Sequence, residues 1–511
     1  MPLATALVVL ATAVAVLSPQ PAGVFWDDGV YLITARALAA GAGYRFVHLP
    51  GAPAAVHFPP AWPALLSLVW RVAPAFPENL RWFRLVNPVL LAIGAGLACR
   101  LAMRTWRLPP VTAAVGAALF ALTLPVLVLT GVLFAEPLFL CAVLGALILA
   151  APSDDTHGPR RALAAGAMAG VAALVRSAGL VLLPALVVAA LFRRRVREAA
   201  ITTTVGLIVV LPWQVWSAAA ASELPAPLRG NYGPYLPWFL DAVHAHGAPF
   251  VVRIARENLV ALQRAVAVVF FPVGVREIRP LLVVLLAIVG VLGAMAVWRR
   301  ASATVVFLGL YALVVIVWPY APDRFAWGVW PLVGIVLAAG AWRAWEHVVR
   351  PGAPAGERAA SGVLVGVALL AAAGAAFYTG RGISRGWADV AQRRNAARLA
   401  PVVDWVRVHT PESAVVAVDG DPLVHLYTGR TVVPVEILSP DEYLGGTPPP
   451  RAAADLRALV DAGGAEFAVL SGGSVVQDAA RLLTTGSPRL VAVDTLPGGG
   501  MAFKVVRPAV R

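Results

Sequence analysis

The chain has 511 residues, 59% of them hydrophobic and only 13% charged, with a mean hydropathy of +0.78. That balance excludes a soluble domain of this size and points to a polytopic membrane protein. The formal charge of +14 comes from 41 Lys and Arg against 27 Asp and Glu, but most of the arginines stand at the ends of apolar runs, which argues for topology over nucleic-acid binding.

Apolar windows long enough to act as spans fall near 3–18, 85–103, 110–129, 132–151, 162–176, 178–192, 199–218, 280–298, 302–319, 326–343 and 360–379. The fold class expected is therefore a polytopic α-helical membrane protein of about 11 spans, N-terminus in and C-terminus out, with a small C-terminal extracytoplasmic α/β domain. The first span lacks a basic leader and reads as an uncleaved anchor. Short loops at 104–109, 152–161, 193–198, 299–301 and 344–359 hold Arg104, Arg107, Arg160, Arg161, Arg193, Arg194, Arg195, Arg197, Arg299, Arg300, Arg350 and Arg358. By the positive-inside rule that face is cytoplasmic, and the 18–84 loop, the 219–279 loop and the tail lie outside.

Directly after the first span comes FWDDGVYLITARALAAGAG, with the acidic pair Asp27 and Asp28. Either acid suits a helix N-terminus, and Gly41 and Gly43 stop that helix. Tyr31, Ala35 and Leu38 share a face, which predicts an amphipathic helix lying along the interface. The apolar stretch 258–272, interrupted by Gln263 and Arg264, reads as an interfacial or re-entrant helix. His244 and His246 are spaced by two, a poor helical metal pair.

Beyond about residue 381, short β-rich runs at 414–418, 431–435, 467–470, 490–493 and 503–506 alternate with helical patterns. This divides the chain into a membrane domain, 1–380, and a soluble α/β domain, 381–511, in which no glycine-rich phosphate loop opens a helix. His425 and Tyr427, near Gly429-Arg430, form its one polar cluster of interest. Cys99 and Cys141 both lie in predicted spans and read as packing residues.

Ionisable residues kept at a membrane surface often mark function. Five places on the expected outer face qualify: Asp27-Asp28, His57 with Pro59-Pro60, Glu136, Arg176, and Asp323-Arg324. Each also has a plain structural use: helix capping for Asp27, Asp28 and Glu136, snorkelling for Arg176, a local surface pair for Asp323-Arg324, and interfacial polarity for His57.

The acid pair followed by Tyr31, together with HFPPAWPALL, FAEPLF, LVRSAG, LPWQVW and PYAPDRFAWGVWPL in that order, resembles the polytopic glycosyltransferases of the C superfamily. The branch is that of the protein O-mannosyltransferases and the lipid A aminoarabinose transferases, family 39-like. The resemblance implies transfer of a sugar from a polyprenyl-phosphate carrier to an extracytoplasmic acceptor at the cell membrane. Carried over by position, Asp27 is the base and Asp28 its companion; Arg176, Arg324 and Arg84 (Arg81 is its neighbour) take the donor phosphate; Tyr31, His57 and Glu136 contact substrate. One departure stands out. Aminoarabinose-type relatives place a lysine before the proline of the second motif, where this chain has Phe58 preceded by His57. No cofactor is required by this reading; Asp27, Asp28 and a histidine would suit magnesium or manganese beside a phosphate-bearing donor, and the sequence leaves that cation open. The other classes weighed are a transporter or flippase of a lipid-linked or polar solute and a noncatalytic membrane binding protein. Charges clustered at one face, with no repeated halves, favour the transferase.

Overall fold

A computed structural model describes residues 1–152, 158–485 and 488–507. The described part of the predicted 152–161 loop is Pro152 and residues 158–161; the rest of that loop lies outside the described residues. The chain divides into two compact units.

The first unit, Met1–Leu17, Arg84–Pro212 and Val252–Ala388, is built of helices. Five helices are long and apolar enough to cross a membrane: Leu80–Arg104, Val196–Glu223, Val273–Val317, Trp330–Val349 and Ala355–Ser384. Pro110–Ala121 and Leu124–Gly131, bent by 57°, make a sixth if they act as one span. Pro2–Ala15, Glu136–Leu149 and Ser177–Phe192 are shorter apolar helices. Within Arg279–Val317 a kink at Ala301, where φ is −140° and ψ is 42°, divides the helix of the predicted span at 302–319 from the helix of the predicted span at 280–298. That helix crosses Trp330–Val349 closely because Gly293 and Gly340 have no Cβ; one added at Gly340 would overlap the Val289 carbonyl oxygen. Leu281, Val284, Val291, Met295, Leu313, Leu369 and Phe377 are exposed. A row of large apolar side chains on helix exteriors is what a lipid-facing surface requires.

The second unit, Ser18–Phe83, Trp213–Val251 and Asp389–Arg511, contains the sheet. Its strands are β1 (Val415–Val418), β2 (Thr431–Val433), β3 (Phe467–Leu470), β4 (Arg489–Leu496) and β5 (Gly500–Val506), in the order β2-β1-β3-β5-β4. β1 runs parallel to β2 and β3, and β5 pairs antiparallel with β3 and β4. Strand alternation sends Ala417, Val433, Ala468 and Leu470 to one core with helices Pro449–Gly463 and Val475–Leu482. Val416, Val418, Val432 and Val469 face the opposite core with helices Val390–His409 and Asp421–Thr428. Val24 is buried in that second core beside Leu399 and Leu423. The segment that follows the first helix is thus packed against the sheet. The β2 edge is covered as well, since the Val432 N–H donates to the His48 carbonyl at 2.8 Å.

Helix Asp27–Ala39 forms where expected but is not an interfacial amphipathic helix: every residue from Asp28 to Ala35 is buried. It packs on Ala61–Val72 and on Asp421–Thr428, and Gly29 meets Pro422 so closely that a Cβ there would collide with the proline ring. The 258–272 stretch belongs to a helix, Tyr235–Phe270, broken at Gly247 with φ +70°.

Candidate functional site

Two polar clusters contain nearly all the residues singled out in the sequence, one in each unit.

In the second unit the turn at residues 23–28 feeds helix Asp27–Ala39. Asp28 closes this turn: its Oδ2 accepts the Gly23 N–H at 2.6 Å and its Oδ1 accepts the Phe25 N–H at 3.0 Å. It is 2% exposed, and burial pushes its carboxyl up to about 6 despite those hydrogen bonds. The two acids therefore differ in kind, since Asp28 is committed to backbone while Asp27 remains half-buried. Between turn and helix stands Trp26 with φ +68°, a left-handed conformation unusual for a bulky residue. Its indole N–H donates to Asp421 Oδ1 at 3.0 Å. The Tyr232 hydroxyl donates to the other Asp421 oxygen, and His48 Nε2 lies 2.8 Å from that hydroxyl.

Because Tyr232 donates to Asp421, the His48 Nε2–H must donate to Tyr232, and His48 Nδ1 is left as a buried acceptor with no partner among the described residues. Burial pushes Asp421 up to about 7 and holds His48 well below its ordinary range. His425 is likewise lowered by burial, and its Nδ1 lies 2.8 Å from the Arg430 carbonyl. Tyr427 accepts the Ala22 N–H through its hydroxyl at 3.2 Å, a packing role.

His57 donates from Nδ1 to the Gly233 carbonyl at 2.8 Å and contacts Trp26, Phe58 and Tyr235 by its ring. Burial lowers it to about 4, while that hydrogen bond and the negative charge of Asp27 pull the other way. It is thus a neutral imidazole at neutral pH. Tyr31 is 3% exposed and packs on Phe58, with ring centroids 4.6 Å apart.

In the first unit, Glu136 opens helix Glu136–Leu149 and is 3% exposed. Its Oε1 accepts from Arg176 Nη1 at 2.5 Å and from Arg324 Nε at 2.7 Å. The Arg324 guanidinium lies over the Phe134 ring at 3.7 Å and that of Arg176 over Phe325 at 5.1 Å. Asn87 fixes the approach to the helix by donating to the carbonyls of Val132 and Phe134. Asp323 does not pair with the Arg324 side chain here; its Oδ1 accepts the Arg324 backbone N–H at 2.9 Å. Two guanidiniums on one carboxylate leave a net positive charge, an arrangement suited to holding an anion. Arg84 is half-buried near the start of helix Leu80–Arg104.

Among the described residues no three His, Cys, Asp or Glu side chains converge as metal ligands. Both Asp28 oxygens accept backbone N–H groups. Sequence reasoning missed Trp26, His48 and Asp421. The one local signal was Gly420-Asp421-Pro422, a helix start.

Over most of its length the chain shares its fold with two solved structures. The chain is similar to ArnT from Cupriavidus metallidurans bound to undecaprenyl phosphate, with TM-score 0.55 and 17% identity over 98% of this chain and 97% of that one. It is also similar to the oligosaccharyltransferase AglB from Archaeoglobus fulgidus in complex with an inhibitory peptide and a dolichol-phosphate, with TM-score 0.51 and 14% identity over 92% and 69%. Neither a family model nor a curated protein matches the sequence.

Proposed function

We propose that the protein is a multi-pass membrane glycosyltransferase that moves a sugar from a polyprenyl-phosphate donor to an acceptor on the extracytoplasmic side, using eleven crossings with the N-terminus inside. The acceptor hydroxyl attacks the anomeric carbon, the bond from that carbon to the phosphate oxygen breaks, and polyprenyl phosphate departs with the electron pair. Asp27 takes the acceptor proton; its half-exposure suits a base that must meet substrate, whereas Asp28 holds the turn that aims it. Arg176 and Arg324, preset by Glu136, hold the donor phosphate, a role that planar guanidinium fills with paired hydrogen bonds; Arg84 assists. Tyr31, Phe58 and neutral His57 wall the second-unit site around Trp26.

The observation that carries this reading is the buried Glu136 with two arginines on one oxygen, in a chain whose whole length takes a glycosyltransferase fold. The test offers the purified protein in lipid a panel of polyprenyl-phosphate sugars and follows donor consumption and released polyprenyl phosphate. One donor turned over by the wild type and not by Asp27→Asn is the expected result. Turnover that survives Asp27→Asn would overturn the base assignment, and donor binding indifferent to Arg176→Ala and Arg324→Ala would overturn the phosphate site.

A further inference from the structure

The first unit carries a second concentration of arginine, at the opposite end of helix Glu136–Leu149 from Glu136. The helix is fourteen residues long, about 20 Å at 1.5 Å per residue. Here a cavity of about 340 Å³ is lined by Arg100, Arg104, Thr105, Arg107, Arg161 and Arg300, with no acidic side chain among the described lining residues. Its volume falls at the lower end of the range of ligand sites, roughly 300–1,000 Å³.

Two of these arginines are locked to the scaffold. Arg161 donates from Nε to the Leu149 carbonyl and from Nη2 to those of Ile148 and Ala151, each at 3.1 Å, which satisfies the free carbonyls at a helix end. Arg300 donates to the Trp106 carbonyl at 3.3 Å. Those bonds fix the two guanidiniums in place. Arg100, Arg104 and Arg107 line the same cavity and make no ion pair among the described residues. Arg107 reaches it from a left-handed backbone conformation, φ +61°.

A topological bias needs arginines only on the right side of the membrane, spread in any manner. It does not need five arginines around one concavity. We propose that this cavity is a binding site for a polyanionic phosphate group, supplied by the headgroup of an anionic membrane lipid or by a free diphosphate. Guanidinium favours phosphate through paired hydrogen bonds, and basic pockets between membrane helices are sites of this type. The site is separate from the Glu136 cluster and does not depend on the transferase reading.

The test uses the full chain in a neutral detergent, titrated with cardiolipin, phosphatidylglycerol and inorganic pyrophosphate, with bound ligand counted by native mass spectrometry. The combined variant Arg100→Gln, Arg104→Gln, Arg107→Gln is compared with Arg194→Gln, Arg197→Gln, Arg299→Gln, which removes equal charge from exposed positions outside the cavity. Arg104→Gln alone serves if the combined variant fails to fold. Saturable binding weakened about tenfold or more by the cavity variant and little by the control is expected. If pyrophosphate competes with lipid, the phosphate group suffices; if only lipid binds in this cavity-dependent way, the headgroup is the ligand. Equal losses in both variants would reduce the effect to diffuse charge and overturn the proposal, as would the absence of saturable binding. Binding that emerges only after Asp154→Asn and Asp155→Asn, the acids that follow lining residue Pro152 in sequence, would also overturn it.

Discussion

Asp421 should make the second unit more stable as pH falls through neutrality, against the usual trend for a carboxylate. Its folded value, about 7, stands above the ordinary 3.8 because burial outweighs the hydrogen bonds from Tyr232 and Trp26. A carboxyl raised in this way binds its proton more tightly when folded, so the stabilisation is complete below about pH 4 and is lost as pH rises through about 7. At about 1.4 kcal/mol per unit, the full span corresponds to about 4 kcal/mol. Between pH 7.5 and 6 Asp421 alone should contribute about 1 kcal/mol, and Asp28, raised to about 6, less than half of that. His57 and His48, buried and neutral, act in the opposite sense as their unfolded forms take up protons. The diagnostic quantity is therefore the difference between wild type and Asp421→Asn. Hydrogen exchange of β1 and β3 peptides in the full chain, corrected for intrinsic rates, reads it at the two pH values. The wild type should gain about 1 kcal/mol more on acidification than the variant. Equal pH responses would refute the assignment of a raised Asp421.

Further outcomes follow from the same geometry. Trp26→Phe removes the indole donor and leaves Asp421 Oδ1 short of a partner, so exchange at residues 23–28 should rise by an amount equivalent to about 1–3 kcal/mol. Glu136→Ala strips Arg176 and Arg324 of their shared carboxylate; a loss of about 3–5 kcal/mol in detergent unfolding and weaker binding of polyprenyl phosphate are expected. Gly340→Ala forces the Trp330–Val349 helix away from Val289, and a thermal midpoint unchanged by it would contradict the close crossing, which predicts about 1–3 kcal/mol of strain.

What the sequence displayed best was periodicity. Long apolar runs became helices in the first unit, and the valine-rich runs at 414–418, 431–435 and 467–470 became β1, β2 and β3. Number was harder, because length and hydropathy support five or six spans, while the runs flanking Arg299-Arg300 are two helices that meet at a kink. Glu136, Arg176 and Arg324 were each visible as charges beside apolar segments, and the structure joins them on one oxygen. The environment of Asp27 was hidden for a different reason. Helix Asp27–Ala39 has the polar and apolar positions of a half-exposed helix, and the residue that anchors its entry, Asp421, lies 395 positions along the chain from Trp26. Local pattern carries no trace of so distant a partner.

The burial of Val24 among Leu399, Val402 and Leu423 has a consequence for the order of synthesis. A ribosome delivers the 18–83 segment early, yet its core partners begin at residue 389 and the sheet is finished only by β5, Gly500–Val506. The turn that presents Asp27 must wait, unset, while the helices of the first unit are made and inserted. A nascent or prematurely ended chain would therefore hold its acid pair on an unorganised loop. If Asp27 has the proposed role, a chain truncated before the last strand should show no transfer.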